Sequence, residues 1–160
     1  MAPDAAEKFV HKILERGFAA GFKTIGSKTA EILRMEDALV RYGADVDETV
    51  TLPEAGLDER LASETKGCYP GQEVVARTTT YKGWQKKLRG LVFQKNILPA
   101  SGAVIKKEEK EIGRITSACY SPELKKPLAF GYLAKGFFDK SGDVSVEGMR
   151  AKTRFMPFGI

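Results

Sequence analysis

From Trp84 onward the sequence is written in short apolar segments cut at regular intervals by glycine, proline and serine, and this punctuation restricts the fold more than any other feature. Leu88–Phe93, Ala103–Ile105, Glu111–Tyr120, Leu128–Leu133, Val144–Val146 and Arg150–Phe155 read as strands. The breaks between them include Pro99-Ala100-Ser101-Gly102, Tyr120-Ser121-Pro122 and Lys140-Ser141-Gly142-Asp143. Several short strands at this spacing predict a small antiparallel barrel or sandwich over residues 85–160. Cys119, inside one of the strands, reads as a packing residue.

The first half is written differently. Residues 5–20 place Phe9, Val10, Ile13, Leu14 and Phe18 at helical spacing, with Glu7, Lys8, Lys12, Glu15 and Arg16 on the opposite side. His11 falls on that charged side and reads as a surface residue. Gly17 and Gly21 end the helix, and Ser27 is a plausible N-cap for a second one running through Ala30, Leu33 and Met35. Between Glu36 and Glu64 the chain is acid-rich and reads as connections, with a short helical turn after Pro53. No good strand precedes residue 85. The fold class is therefore α+β, a helical region followed by a small antiparallel barrel or sandwich. The apolar face of helix 5–20 has no sheet partner in this sequence, so self-association or a partner domain is expected to cover it.

Composition narrows the class further. The chain has 160 residues, 42% hydrophobic and 29% charged, with a net charge of +5, which suits a water-soluble globular protein of one or two domains. No apolar run approaches the roughly 20 residues needed to span a bilayer, and Met1-Ala2-Pro3-Asp4 does not open a signal peptide. Two cysteines fit a reducing compartment, which makes the cytoplasm the expected location. One histidine and two separated cysteines do not by themselves complete a tetrahedral zinc site, so no metal site is expected within the chain, and a metal shared with a partner is the open alternative. Arg77, Lys82, Lys86, Lys87, Arg89 and Lys95 follow one another without an intervening acid, with Tyr81 and Trp84 interleaved. That pattern suits a nucleic-acid surface, an anionic small molecule, or a solvated face; the solvated face is preferred because no RNA- or DNA-binding signature accompanies the run.

Lys66-Gly67-Cys68-Tyr69-Pro70-Gly71-Gln72-Glu73 carries the densest chemistry. Tyr69-Pro70-Gly71 is a turn, with proline presetting φ and glycine supplying a positive one. Gln72 to Arg77 then forms a short helix, acidic at its start and basic at its end. Cys68 lies just before that helix with Lys66 two residues away, and both features favour thiolate. The alternative is a tight turn around a buried, inert cysteine.

This octapeptide resembles the K-G-C-Y-x-G-Q-E signature of the YgfZ family, the folate-binding relatives of the glycine-cleavage T-protein, an aminomethyltransferase. Leu33-Arg34-Met35-Glu36, Arg41-Tyr42-Gly43-Ala44-Asp45-Val46-Asp47-Glu48 and Leu52-Pro53-Glu54-Ala55-Gly56-Leu57 are similar to further superfamily segments upstream. Ile112-Gly113-Arg114-Ile115-Thr116-Ser117 and Met156-Pro157-Phe158 are similar to its C-terminal barrel. The resemblance implies that residues 1–84 are the helical C-terminal part of a ferredoxin-like domain and that 85–160 are the barrel. It implies a folate-associated protein that supports iron–sulfur cluster assembly or repair, and through it iron–sulfur enzymes such as tRNA-modifying ones. Cys68 would be the working thiol and Lys66 its charge partner. Arg34, Glu36, Tyr69, Gln72, Glu73 and Arg77 would surround tetrahydrofolate, and iron–sulfur assembly proteins would be partners. An aminomethyltransferase and a basic nucleic-acid or protein adaptor are the competing classes. Ala30 replaces an arginine that contacts folate in the T-protein, whose catalytic aspartate belongs to a region absent here and whose last tyrosine falls past Ile160. Aminomethyl transfer by this chain alone is therefore not expected, and, with much of the family's pocket lacking, any tetrahydrofolate binding is expected to be weak. Arg34 and Glu36 read equally well as a pair holding the loop that carries Tyr42 and Asp45.

Overall fold

The computed structural model describes residues 3–63, 65–81 and 83–158. The chain divides into two compact units, one ending at Ala30 and the other beginning at Glu31.

The first unit is built on helix α1, Pro3–Ala19, with Asp4 in its first turn and Arg16 in its last, the charge order that suits a helix dipole. The helix runs through Gly17 and stops at Gly21, which takes φ +82° so that the Gly21 and Phe22 amides donate back to Phe18 and Gly17 at 3.0 and 2.8 Å. Of the two glycines expected to end the helix, only Gly21 does. Phe9, Val10, Ile13 and Phe18 are more than half exposed, and His11 is exposed too.

Helix α2, Ser27–Glu36, crosses from one unit to the other and takes Ser27 as its first residue. Two short helices follow, α3 (Leu52–Ala55) and α4 (Asp58–Leu61). The first is the turn expected near Pro53; the second is too short to leave a periodic signature. Thr51 caps α3, its backbone N–H and hydroxyl both lying 3.1 Å from the Glu54 carboxylate. Helix α5, Gln72–Tyr81, extends a full turn past the expected end at Arg77.

The rest is a closed six-stranded antiparallel barrel ordered β1-β4-β3-β2-β5-β6. Its strands are β1 (Lys86–Phe93), β2 (Val104–Lys107), β3 (Lys110–Ser121), β4 (Lys126–Ala134), β5 (Asp143–Val146) and β6 (Met149–Arg154). All six fall where the sequence places strands. Closure removes the exposed edges that such short strands would otherwise present. Leu91, Phe93, Ile105, Ile115, Leu133, Val146 and Ala151 fill the interior.

A second core lies outside the barrel wall, where Met35 of α2 meets Leu88, Cys119, Leu128, Phe130 and Phe158. The Phe130 and Phe158 rings stack with centroids 6.0 Å apart. Strand β4 is buried on both faces, with Ala129 and Leu133 in the first core and Leu128 and Phe130 in the second. Its almost continuous apolar run follows from that. The register of β3 on β4 shifts between Ile115 and Ser117, so Thr116 is an extra residue. Both hydroxyls of Thr116-Ser117 consequently reach residues of the helical segment rather than alternating across the wall.

Candidate functional site

Polar residues anchor the helical segment to the barrel around Asp45, which is 2% exposed. Its carboxylate accepts from Arg34 Nη1 at 2.8 Å, from the Arg41 backbone at 3.0 Å and from Thr116 Oγ1 at 2.6 Å. The Tyr132 hydroxyl donates to the Asp45 carbonyl at 2.9 Å. Burial, reinforced by the Asp45 charge, pushes that phenol above its ordinary pKa. Arg34 also donates to Glu31, to the Leu39 carbonyl and to Ser117 Oγ. Burial works against its charge, but Glu31 and Asp45 outweigh it and hold the guanidinium pKa above its usual value. The hydrogen bond from Arg34 likewise holds the Glu31 carboxyl below the usual range, with burial opposing. Glu36 accepts from the buried Ser121 hydroxyl. Arg34 thus pairs with Glu31 and Asp45, not with Glu36, and each of the two ties α2 to the barrel separately. Tyr42 is exposed and donates to Glu48.

The octapeptide lies elsewhere, in the approach to α5. Gly71 takes φ +84°, as the turn requires, and Val75 N–H donates to its carbonyl at 3.1 Å to open the helix. Cys68 is exposed, which removes the reading of a buried, inert thiol; Cys119 is the buried cysteine. Burial, with the Glu36 and Glu31 charges adding, pushes the Cys119 thiol up to about 11. Lys66 is exposed, with its ammonium 5.9 Å from the centre of the half-buried Tyr69 ring.

Glu73 and Arg77, one turn apart on α5, face a cleft of about 890 Å³ that they share with Thr51, Glu54, Thr78 and Trp84. The floor is amphipathic. Trp84 packs its ring against the barrel core, while its indole N–H is buried without a hydrogen-bond partner among the described residues. The structure therefore gathers Glu73 and Arg77 into one cleft and leaves Cys68 and Lys66 outside its lining, on the loop leading into α5. Arg34 and Glu36 belong to the barrel anchor. Gln72 is half-buried in the first turn of α5.

Sequence reasoning passed over Thr51, Glu54 and Trp84 as cleft residues, and Glu31, Thr116, Ser117 and Tyr132 as anchor residues. The Thr-x-x-Glu spacing of Thr51 and Glu54 is a legible helix-start signal. The barrel partners of Asp45, Thr116 on β3 and Tyr132 on β4, lie more than 70 positions away, and no local pattern announces them. Within the basic run, Lys82 and the Tyr81 side chain lie outside the described residues.

Residues 86–157 match the family model for the glycine cleavage T-protein C-terminal barrel domain. The chain is 33% identical over 159 residues to the aminomethyltransferase of Desulfitobacterium hafniense, covering 98% of this chain and 43% of that protein. It is 29% identical over 151 residues to the aminomethyltransferase of Pseudothermotoga lettingae, covering 92% and 41%. The chain spans about two-fifths of the length of these curated relatives. Among solved structures, the crystal structure of glycine cleavage system aminomethyltransferase T from Bartonella henselae superposes with a TM-score of 0.80 at 23% identity, over 97% of this chain and 44% of that one. That likeness is one of fold. These relatives support the wider glycine-cleavage T-protein superfamily, and the barrel is the part that matches its family model.

Proposed function

We propose that this chain, with its glycine cleavage T-protein C-terminal barrel, is a folate-associated protein of the YgfZ kind that supports iron–sulfur cluster assembly or repair in the cytoplasm, with Cys68 as its working thiol. The observation that carries the reading is the exposed Cys68, held on the loop into α5 by the same eight residues that supply Glu73 to the neighbouring cleft. A thiol that serves a partner or a cluster has to be reachable, and this one is. Residues 1–84 would then be the helical C-terminal part of a ferredoxin-like domain, and iron–sulfur assembly proteins would be the partners.

The cleft fits tetrahydrofolate by the chemistry of its walls. Glu73 offers a carboxylate to amino and ring N–H donors, with the Oε1 of Glu54 beside it while Oε2 caps α3, Trp84 offers an aromatic wall, and Arg77 offers a cation to a glutamate carboxylate. When bound, the folate would supply a one-carbon carrier, and the residues of this chain would orient it. Arg34 and Glu36 do not extend that set, because their polar groups are engaged within the fold.

The second reading is aminomethyl transfer to tetrahydrofolate, favoured by the names of the curated relatives. Such transfer needs an acid–base group within hydrogen-bond reach of the reacting folate nitrogen. Folate binding by the chain alone is expected to be weak and without turnover. Calorimetric titration with tetrahydrofolate, paired with an assay of methylene transfer from an aminomethylated carrier, separates the readings. Turnover would establish the enzyme. Binding without turnover, together with failure of Cys68→Ser to support iron–sulfur enzymes in cells, would establish the first.

A further inference from the structure

The basic run around β1 is not a continuous track, because strand alternation divides it. Lys86 turns to the outer face of the barrel, where its ammonium lies 5.0 Å from the centre of the Tyr132 ring. Lys87 and Arg89, two residues apart, share the opposite face of the strand, with Cα atoms roughly 7 Å apart. The Lys87 ammonium lies 4.0 Å from the Trp84 ring centre. The Arg89 guanidinium lies 4.7 Å from the ring of Phe155, just past β6, and 5.9 Å from that of Phe138, just past β4. Two cations and three rings thus gather at one end of the barrel.

Arg89 is half-buried and its side chain is only partly satisfied. Nε donates to the Phe138 carbonyl at 2.8 Å and Nη1 to the Leu88 carbonyl at 3.0 Å, while Nη2 has no acceptor among the described residues. No carboxylate among the described residues forms an ion pair with Arg89 or Lys87. Burial lowers the guanidinium pKa, opposed only by the more distant charge of Asp139. A partly desolvated cation with one edge of its donor fork open is a site for an anion, and the planar fork suits carboxylate and phosphate alike.

We propose that this end of the barrel binds a small oligoanion through the open edge of Arg89 and the ammonium of Lys87. The ligand carries two acid groups, carboxylate or phosphate, at about one strand repeat, roughly 7 Å, and the rings of Trp84 and the half-exposed Phe155 flank the two cations. A nucleic acid is disfavoured because Lys86, the remaining cation of β1, points away, so this face of the strand presents two cations where a backbone track needs a longer series. This inference does not rest on folate binding, and the probes below contain no pterin.

Trp84 is the chain's single tryptophan, so its fluorescence reports the site directly. The full chain is titrated with γ-linked triglutamate and, separately, with inorganic tripolyphosphate, with sodium chloride at matched ionic strength as the control. The expected result is a saturable change with at least one probe, weakened about tenfold or more in Arg89→Gln and in Lys87→Gln and unchanged in Lys126→Gln, whose side chain is exposed on β4. The tighter probe identifies the ligand as oligocarboxylate or phosphate. If Arg89→Gln does not fold, Arg89→Lys keeps the charge and removes the fork, and it should still bind more weakly. A change that follows ionic strength alone, equal binding by the Arg89 and Lys87 variants, or binding confined to single-stranded RNA would each overturn the proposal.

Discussion

Arg34 reaches Asp45 across 2.8 Å, and the side chain of Asp45 is fully shielded from solvent while that of Arg34 is 13% exposed. The pair joins α2 to the loop after it, and Thr116 and Tyr132 extend the connection to the barrel wall. Removing Asp45 leaves Arg34 with Glu31 as its remaining carboxylate partner and takes the acceptor from the Arg41 amide and the Thr116 hydroxyl, at a cost toward the lower end of the about 3–5 kcal/mol of a broken buried pair. Asp45→Ala should lower stability by that amount in urea unfolding, with the loss partly recovered in an Asp45→Asn chain that keeps the hydrogen-bond geometry. A change under 1 kcal/mol would show that the anchor is not holding the segment in place.

The two thiols should differ in reactivity. Cys68 is exposed, whereas Cys119 is buried and its thiol is pushed up to about 11. Since thiolate is the reactive form, Cys68 should be alkylated much faster at neutral pH, as read by mass spectrometry of peptides over time. Equal rates would end the case for a working cysteine.

Cys119 also predicts an alkaline limit. Its folded pKa, about 11, stands above the ordinary 9.0, chiefly through burial. A raised pKa stabilises the fold fully below the unfolded value, and that contribution is lost as pH climbs through the folded one. Stability should therefore fall between about pH 9 and 11 by more in the parent chain than in Cys119→Ala, compared as the slope of unfolding midpoint against pH. Parallel slopes would mean that the thiol is not coupled to folding.

Glycine positions in the wall make a graded test. A Cβ on Gly113 would stand 1.9 Å from the Tyr132 carbonyl oxygen, a backbone atom that cannot move without breaking the β3–β4 pairing. On Gly90 it would stand 2.4 Å from a Phe158 ring carbon, and a ring can shift. Gly113→Ala should prevent folding or reduce the melting temperature far more than Gly90→Ala, whose cost should be about 1–3 kcal/mol. The reverse order in calorimetry would show that the β3–β4 approach is looser than described.

The exposed face of α1 predicts association. Burying Phe9, Ile13 and Phe18 would yield about 1.5–3 kcal/mol each, so the chain should self-associate through this helix, or take a partner domain there. Phe9→Glu with Ile13→Glu should reduce the mass measured by light scattering to that of one chain. A parent chain that is monomeric at every concentration, with protected amides along α1, would contradict this.

The barrel was legible because each strand carries its own evidence. β-branched and aromatic runs, bounded by Pro99–Gly102 and Lys140–Asp143, state where the chain extends and where it turns. The turn at Pro70-Gly71 and the end of α1 at Gly21 were equally local, because positive φ is a property of single residues. Chain closure and strand order were not written locally; they depend on which strands reach each other across many residues. The same holds for the site. Lys66, Cys68 and Glu73 could be named from one octapeptide, yet only the packing of α3 near α5 put Glu73, Arg77, Glu54 and Trp84 around one cleft and left Cys68 on the loop beside it. Arg34 and Glu36 looked available in the sequence. The bulge at Thr116 and the burial of Asp45 and Ser121 engaged them instead, since a charge brought against a barrel wall must find its partners there. Local conformation and reactive residue types thus follow from neighbours along the chain, whereas exposure, pairing and charge balance follow from neighbours in space.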